Sequence, residues 1–148
     1  MANIVFNVSL GRVASLAALP AASDALIAVP LEATGLVTDA TMRDYDDLSA
    51  LLASASNEQT TMGRKTLTGV TVTVDDTNDR VAVDCADITW TAATGNAVGA
   101  VVICYDPDTT TGTDADLIPL TKHDVTLTPD GNNFTLTVSD FYRASSTA

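Results

Sequence analysis

Four aspartates, Asp106, Asp108, Asp114 and Asp116, fall within the eleven residues 106–116 around Gly112. Carboxylates this close could supply hard oxygen ligands to Ca²⁺, which makes them the sharpest metal candidate in the chain. An EF-hand loop needs further oxygen ligands at alternating positions and a bidentate Glu at its end. Here the fifth position is Thr110, the twelfth is Leu117, and Pro107 disturbs the turn. The simpler reading is a solvated, Asp-rich hairpin loop, because Asp bonds nearby backbone N–H groups. Asp75, Asp76 and Asp79 read more plainly still as turn formers.

His123 is the only histidine, and Asp124 follows it. A Ser-His-Asp arrangement also needs an activated nucleophile, and the chain contains no Gly-x-Ser-x-Gly elbow. Neither Cys85 nor Cys104 stands in a recognisable motif; both lie in apolar, strand-like runs and read as buried free thiols, with a single disulfide left open. Two cysteines also fall short of the four ligands of a structural zinc site. Glycosidase chemistry requires two opposed carboxylates in a cleft, which turn aspartates do not establish. Gly95 and Gly99 precede no Lys and make no phosphate loop. Trp90 and Tyr105 could stack a sugar, but their densely apolar setting favours core packing. The sequence therefore predicts a protein that is not an enzyme and holds no cofactor.

Composition narrows the partners. Acids outnumber bases 19 to 7, giving a net charge of −12. Nucleic-acid binding needs Lys and Arg to displace counterions from phosphates, and anionic membrane surfaces attract the same side chains. Neither partner is expected. In so acidic a chain Arg12, Arg64 and Lys65 are conspicuous. They are the interface candidates, placed to pair with Asp on a neighbouring copy, although intrachain pairing accounts for them equally well.

These residues must be positioned by a chain of 148 residues, the length of one ordinary domain. Seventeen of the acids are Asp and only two are Glu. Asp favours turns and caps, and the abundant Thr suits half-exposed strands. A mean hydropathy of +0.20 and alternating apolar residues indicate a folded, mainly β chain rather than an acidic disordered one. Asn3 to Val13 reads as a first strand, since Ile4, Phe6, Val8 and Leu10 alternate with polar residues. The small-residue run Val13–Ala22 invites comparison with a secretory leader, but the stretch Met1–Leu10 lacks the positive n-region such a leader needs. Without a leader, the sequons at Asn7 and Asn133 carry no weight. No apolar run approaches the roughly 18 residues of a membrane-spanning helix.

Ala25–Val29 reads as a short strand stopped by Pro30, and residues 1–40 as a strand-like N-terminal arm. One helix follows over residues 42–55. Thr41 is its expected N-cap and Asp44 closes a weak capping box. Tyr45, Leu48, Leu51, Leu52 and Ala55 form its apolar face. Beyond a polar linker at 57–64, Thr66–Val74 and Arg80–Cys85 read as a hairpin. Ile88–Thr91, Gly99–Tyr105, Leu117–Leu120, Asp124–Thr128 and Asn133–Val138 supply further strands. Gly99–Tyr105 is the most apolar and the expected centre, Phe141 and Tyr142 cap the core edge, and Ala144–Ala148 is a polar tail expected to fray. About nine or ten short strands with frequent turns predict an antiparallel β-sandwich or barrel, a jelly-roll-like arrangement among the options. Residues 41–148 form that β domain, and with the arm they make one structural unit.

Three segments together carry a family resemblance. They are Asp44-Tyr45-Asp46-Asp47-Leu48; Asn57-Glu58-Gln59-Thr60-Thr61 running into Gly63-Arg64-Lys65-Thr66-Leu67-Thr68; and Ile103-Cys104-Tyr105-Asp106-Pro107-Asp108 with the closing Phe141-Tyr142-Arg143-Ala144-Ser145. With these segments the chain resembles small virion structural proteins of tailed bacteriophages. The resemblance implies a particle component of the capsid decoration or head-stabilising type, with a tail or fibre accessory protein or receptor-recognition module as the alternative. The expected setting is the capsid surface of a virion, after synthesis in the host cytoplasm, in a homo-oligomer, expected trimeric, bound to the major capsid protein or other virion proteins. Residues 2–40, poor in turns, are expected to carry much of that contact, so that their deletion would abolish particle binding and leave the remainder folded.

Overall fold

The structure is a computed structural model, and it describes residues 2–54 and 56–146. Its centre is two long apolar strands, β2 (Ala25–Glu32) and β7 (Val98–Asp106), paired antiparallel. Successive side chains of a strand point to opposite faces, so two apolar faces require cover on both sides. Leu26, Ala28, Val101, Ile103 and Tyr105 enter one buried cluster, while Ile27, Val29, Leu31, Ala100, Val102 and Cys104 enter another. Flanking these strands are β8 (Ile118–Leu127), β1 (Ile4–Val5) and β3 (Lys65–Thr66), giving a five-stranded sheet ordered β1-β8-β7-β2-β3.

The first face is covered by two smaller antiparallel sheets. One is ordered β10-β5-β4, from Tyr142–Ser145, Arg80–Asp84 and Thr71–Asp75; the other pairs β6 (Ile88–Trp90) with β9 (Phe134–Leu136). Helix α1 (Val13–Ala17) adds Val13, Leu16 and Ala17 to the same cluster. The second face is covered by Phe6, by Met42 of α2 (Asp39–Met42) and by Leu48 and Leu51 of α3 (Leu48–Ala53). The chain is therefore mainly β, with sheets facing one another across a core. It is not a closed barrel, since β1 and β3 end the large sheet.

Several expectations need correction. Residues 1–40 are not an arm: β2 lies inside the large sheet and Phe6 is fully buried. Deleting residues 2–40 would remove a central strand, so the remainder could not keep this fold. The first strand is only Ile4–Val5, because a 3-10 turn at Asn7–Ser9 rotates the chain so that Ser9 is buried and Leu10 is 61% exposed. Pro30 does not stop β2. Its carbonyl accepts the Gln59 N–H at 2.9 Å on the side away from β7, so the missing proline N–H points away from that ladder too.

The helical region is two short helices. Thr38, not Thr41, caps α2 by accepting from Thr41 N, and Asp47 caps α3 by accepting from Ala50 N at 2.7 Å. Ala55 lies outside the described residues, as do Thr147 and Ala148. Strand β10 runs over Tyr142–Ser145, so Ala144 and Ser145 of the expected tail are strand. The two short strands anticipated at 117–120 and 124–128 are one ten-residue strand, β8.

Candidate functional site

Most of the charge in this fold closes on other parts of the fold. Lys122 of β8 is fully buried, and its Nζ donates to Ala2 O at 2.7 Å, Asp39 Oδ1 at 2.9 Å and Asp124 Oδ1 at 2.5 Å. Three N–H donors meet three acceptors, which is what a buried ammonium requires. The other Asp39 oxygen accepts the Ala2 N–H at 2.7 Å. The Lys122 hydrogen bond, then that of Ala2, holds the Asp39 carboxyl below its ordinary 3.8. No motif in the sequence marks Lys122. Its only sequence signal is a cation inside a strand-like run, and a cation there is normally assigned to the solvent face.

Arg64 makes the second node. Its guanidinium donates to both Glu58 oxygens, at 2.8 and 2.6 Å, and to both Asp114 oxygens, at 2.6 and 3.1 Å. The two carboxylates raise the Arg64 pKa, Glu58 contributing most. Arg64 is thus taken by intrachain pairs. The interface reading is replaced for Arg64 by the intrachain one. Among the described residues the Arg12 side chain hydrogen-bonds the Val8 carbonyl alone, at 3.4 Å, and Lys65 is half-buried on β3 opposite Ala28. Among the described residues Arg12, Lys65 and Arg43 are in no ion pair, whereas Arg64, Arg80, Lys122 and Arg143 are.

The structure does not bring the four loop aspartates together. Asp108 accepts from the N–H and hydroxyl groups of Thr110 and Thr111, with those hydrogen bonds, Thr110's first, holding its carboxyl well below the usual range. Asp116 accepts from Thr113 N and Oγ1, both at 2.8 Å, and Asp106 accepts from Asp108 N at 3.0 Å. Asp114 turns to Arg64. Among the described residues no three His, Cys, Asp or Glu side chains are arranged to hold a metal ion. The loop is an Asx- and Thr-stapled turn, anchored where Thr109 N donates to Ser23 O at 2.8 Å.

His123 lines a cavity of about 260 Å³ between the large sheet and the smaller ones, together with Cys85, Ile103, Leu136, Asp140 and Phe141. Its Nε2 lies 2.9 Å from Thr121 Oγ1, and its ring meets Phe141 edge-on at 6.4 Å. Burial, and then the nearby Lys122 charge, lowers the His123 pKa from 6.5, with Asp124 opposing. Cys85, in the same cavity, is pushed up to about 11, mainly by burial, and the carboxylates of Asp84 and Asp87 add to it. The thiol is thus held protonated, the wrong state for a nucleophile. Cys104 is fully buried and its thiol is raised further, chiefly by burial.

Trp90 and Tyr105 belong to the core. Trp90 is 1% exposed, stacks on Phe134 at 5.9 Å and donates Nε1–H to Gly63 O at 2.9 Å. Tyr105 donates its hydroxyl to Asp24 at 2.8 Å. Gly95 has φ +106°, and a Cβ there would fall 2.6 Å from Gln59 Nε2, so its role is to let the buried Gln59 side chain reach Asn96 O. No protein-family model matches the chain, and neither a curated protein nor a solved structure does.

Proposed function

We propose that this chain is a non-enzymatic structural protein of a tailed-bacteriophage virion, a capsid decoration protein bound to the head in many copies. One observation supports this reading: the residue types best able to do chemistry are engaged in holding the fold. Lys122, Asp39 and Asp124 tie the N-terminus to β8, Arg64 clamps Glu58 and Asp114, and Asp108 and Asp116 staple their loop. What faces outward is a surface carrying most of a −12 net charge. Such a surface suits docking rather than turnover. A decoration protein stabilises a shell by binding the assembled form, which is mass action and needs no reactive group. Its acidity keeps it off packaged nucleic acid and keeps particles apart in solution. Its partners on this reading are the major capsid protein and further copies of itself, and its place is the virion surface.

Asp114, which lies in none of the three resembling segments, links the helix that begins at Leu48 to the second segment. Ser49 N, in the helix that follows Asp44–Leu48, donates to Asp114 O at 3.1 Å, and Arg64 of the second segment binds the Asp114 side chain. The test is copy number in purified particles, by quantitative mass spectrometry and particle imaging. Hundreds of copies on the head are expected. A dozen or fewer at the tail would transfer the protein to the tail accessory class, and virions without it would end the proposal.

A further inference from the structure

A strand at the edge of a sheet presents unpaired N–H and C=O groups, and proteins blunt such edges with Lys, Pro, bulges or brevity. The short edges here follow that rule. β1 and β3 have two residues each, β3 carries Lys65, β6 and β9 have three residues each, and β10 carries Arg143. β4 does not. It is the longest edge strand, five residues reading Thr71-Val72-Thr73-Val74-Asp75, with no Lys, Arg, Pro or bulge. Its one charge, Asp75, is occupied by Arg80 at 3.2 Å and by Asn78.

A second observation marks the same place. Val74 is 69% exposed, the most exposed large apolar side chain described. The other two, Leu10 at 61% and Leu19 at 53%, flank α1, which packs against β4 and β5.

We propose that β4 pairs antiparallel with β4 of a second copy about a two-fold axis, joining two three-stranded sheets into one of six. The sequence of the strand is self-complementary in one register. With Thr73 opposite Thr73, Val72 of each copy faces Val74 of the other, and Thr71 faces Asp75. Val72 packs on the core cluster, so this register seats the exposed Val74 beside it and carries the apolar layer across the seam. A slip of one residue would set Val opposite Thr and turn the two apolar faces to opposite sides. Charge selects the same edge. Two copies of net charge −12 repel, and Thr71–Val74 is a neutral stretch along which they can approach with no like charges directly opposed. The contact is isologous and closes at two copies, so a three-fold assembly would need a separate surface. The inference rests on the strand edge and not on the virion assignment.

The test uses the full chain. Sedimentation velocity over a range of concentrations should show a monomer–dimer equilibrium. Val74→Lys sets a charge against the partner's Val72 and should weaken association roughly tenfold or more. Because Val74 is exposed, that variant should keep the wild-type far-ultraviolet circular dichroism spectrum, which certifies it as folded. Thr73→Cys places two thiols across the axis, where the Cα spacing of roughly 4.5–5.5 Å suits a disulfide, so mild oxidation should give a covalent dimer. A chain that stays monomeric at every concentration overturns the proposal. So does a dimer that Val74→Lys leaves unweakened, or a Thr73→Cys variant that does not cross-link.

Discussion

Lys122 Nζ lies 2.9 Å from Asp39 Oδ1, a contact across 83 positions that fastens the central sheet to α2. Without the amine, Asp39 and Asp124 would face each other at a site built for a cation. Lys122→Met is therefore expected to cost about 3 kcal/mol in urea denaturation, the low end for breaking a buried pair. The low end applies because Asp39 and Asp124 keep 20% and 31% of their side-chain exposure and can rehydrate. An unchanged unfolding midpoint would show that the three hydrogen bonds add nothing net.

Acid should unfold the protein in two stages. His123 has a folded pKa below its ordinary 6.5, so the unfolded chain takes up that proton first. Stability conferred by the neutral imidazole is whole above 6.5 and declines as pH falls toward the folded value. Asp39 and Asp108 are held below 3.8, so their share is lost at lower pH, as it falls from above 3.8 through their folded values. Urea midpoints should thus fall as the pH drops below His123's ordinary 6.5, and again in the carboxylate range. His123→Gln should flatten the first decline and leave the second. An equal slope in the variant would remove His123 from the account.

Arg64 holds two carboxylates with one planar fork, which an ammonium cannot reproduce. Arg64→Lys should lose about 1 kcal/mol and Arg64→Ala about 2 kcal/mol, values kept small by the partial exposure of the cluster. The deficit of Arg64→Ala should shrink in 1 M salt, where the wild-type pairs are screened. Thermal melts at low and high salt measure both effects.

Cys85 and Cys104 sit in the two different core clusters, on opposite faces of the large sheet. They cannot join without rebuilding it, and both are free. A thiol reagent should find no rapidly reacting group in the native protein and two per chain after denaturation. One disulfide per chain in the purified protein would contradict the packing described.

Calcium should not matter. With the 106–116 carboxylates engaged by Thr110, Thr111, Thr113 and Arg64, millimolar Ca²⁺ and EDTA should give the same melting temperature. A rise on adding Ca²⁺ would mean that the loop opens to bind it.

Some of this was legible in the residues alone. The apolar run at 99–105 marked the central strand, the Asp-rich stretch at 75–79 marked the β4–β5 turn, and Trp90 and Tyr105 read as core residues. The N-terminal forty residues misled, because alternation over Ile4–Leu10 looked like one strand and hid the 3-10 turn. Pro30 misled for a related reason: whether a proline ends a strand depends on which neighbour its nitrogen faces.

Hydrophobic periodicity and turn chemistry are local properties, so the sequence by itself determined that the chain is β-rich, acidic and built on a core of Val, Ala and Leu. Partnership is not local. In β8, Leu120 has no cross-strand partner on β7, where Ile103 meets Thr121 and Cys104 meets Pro119. That bulge puts Lys122 opposite Val102, on the helix-covered face, instead of on the face that Leu120 shares with Ile103. Only the tertiary structure decided that Lys122 would be buried beside Asp39 and that Arg64 would close on Asp114, because each pairing depends on register and packing between segments far apart in the chain.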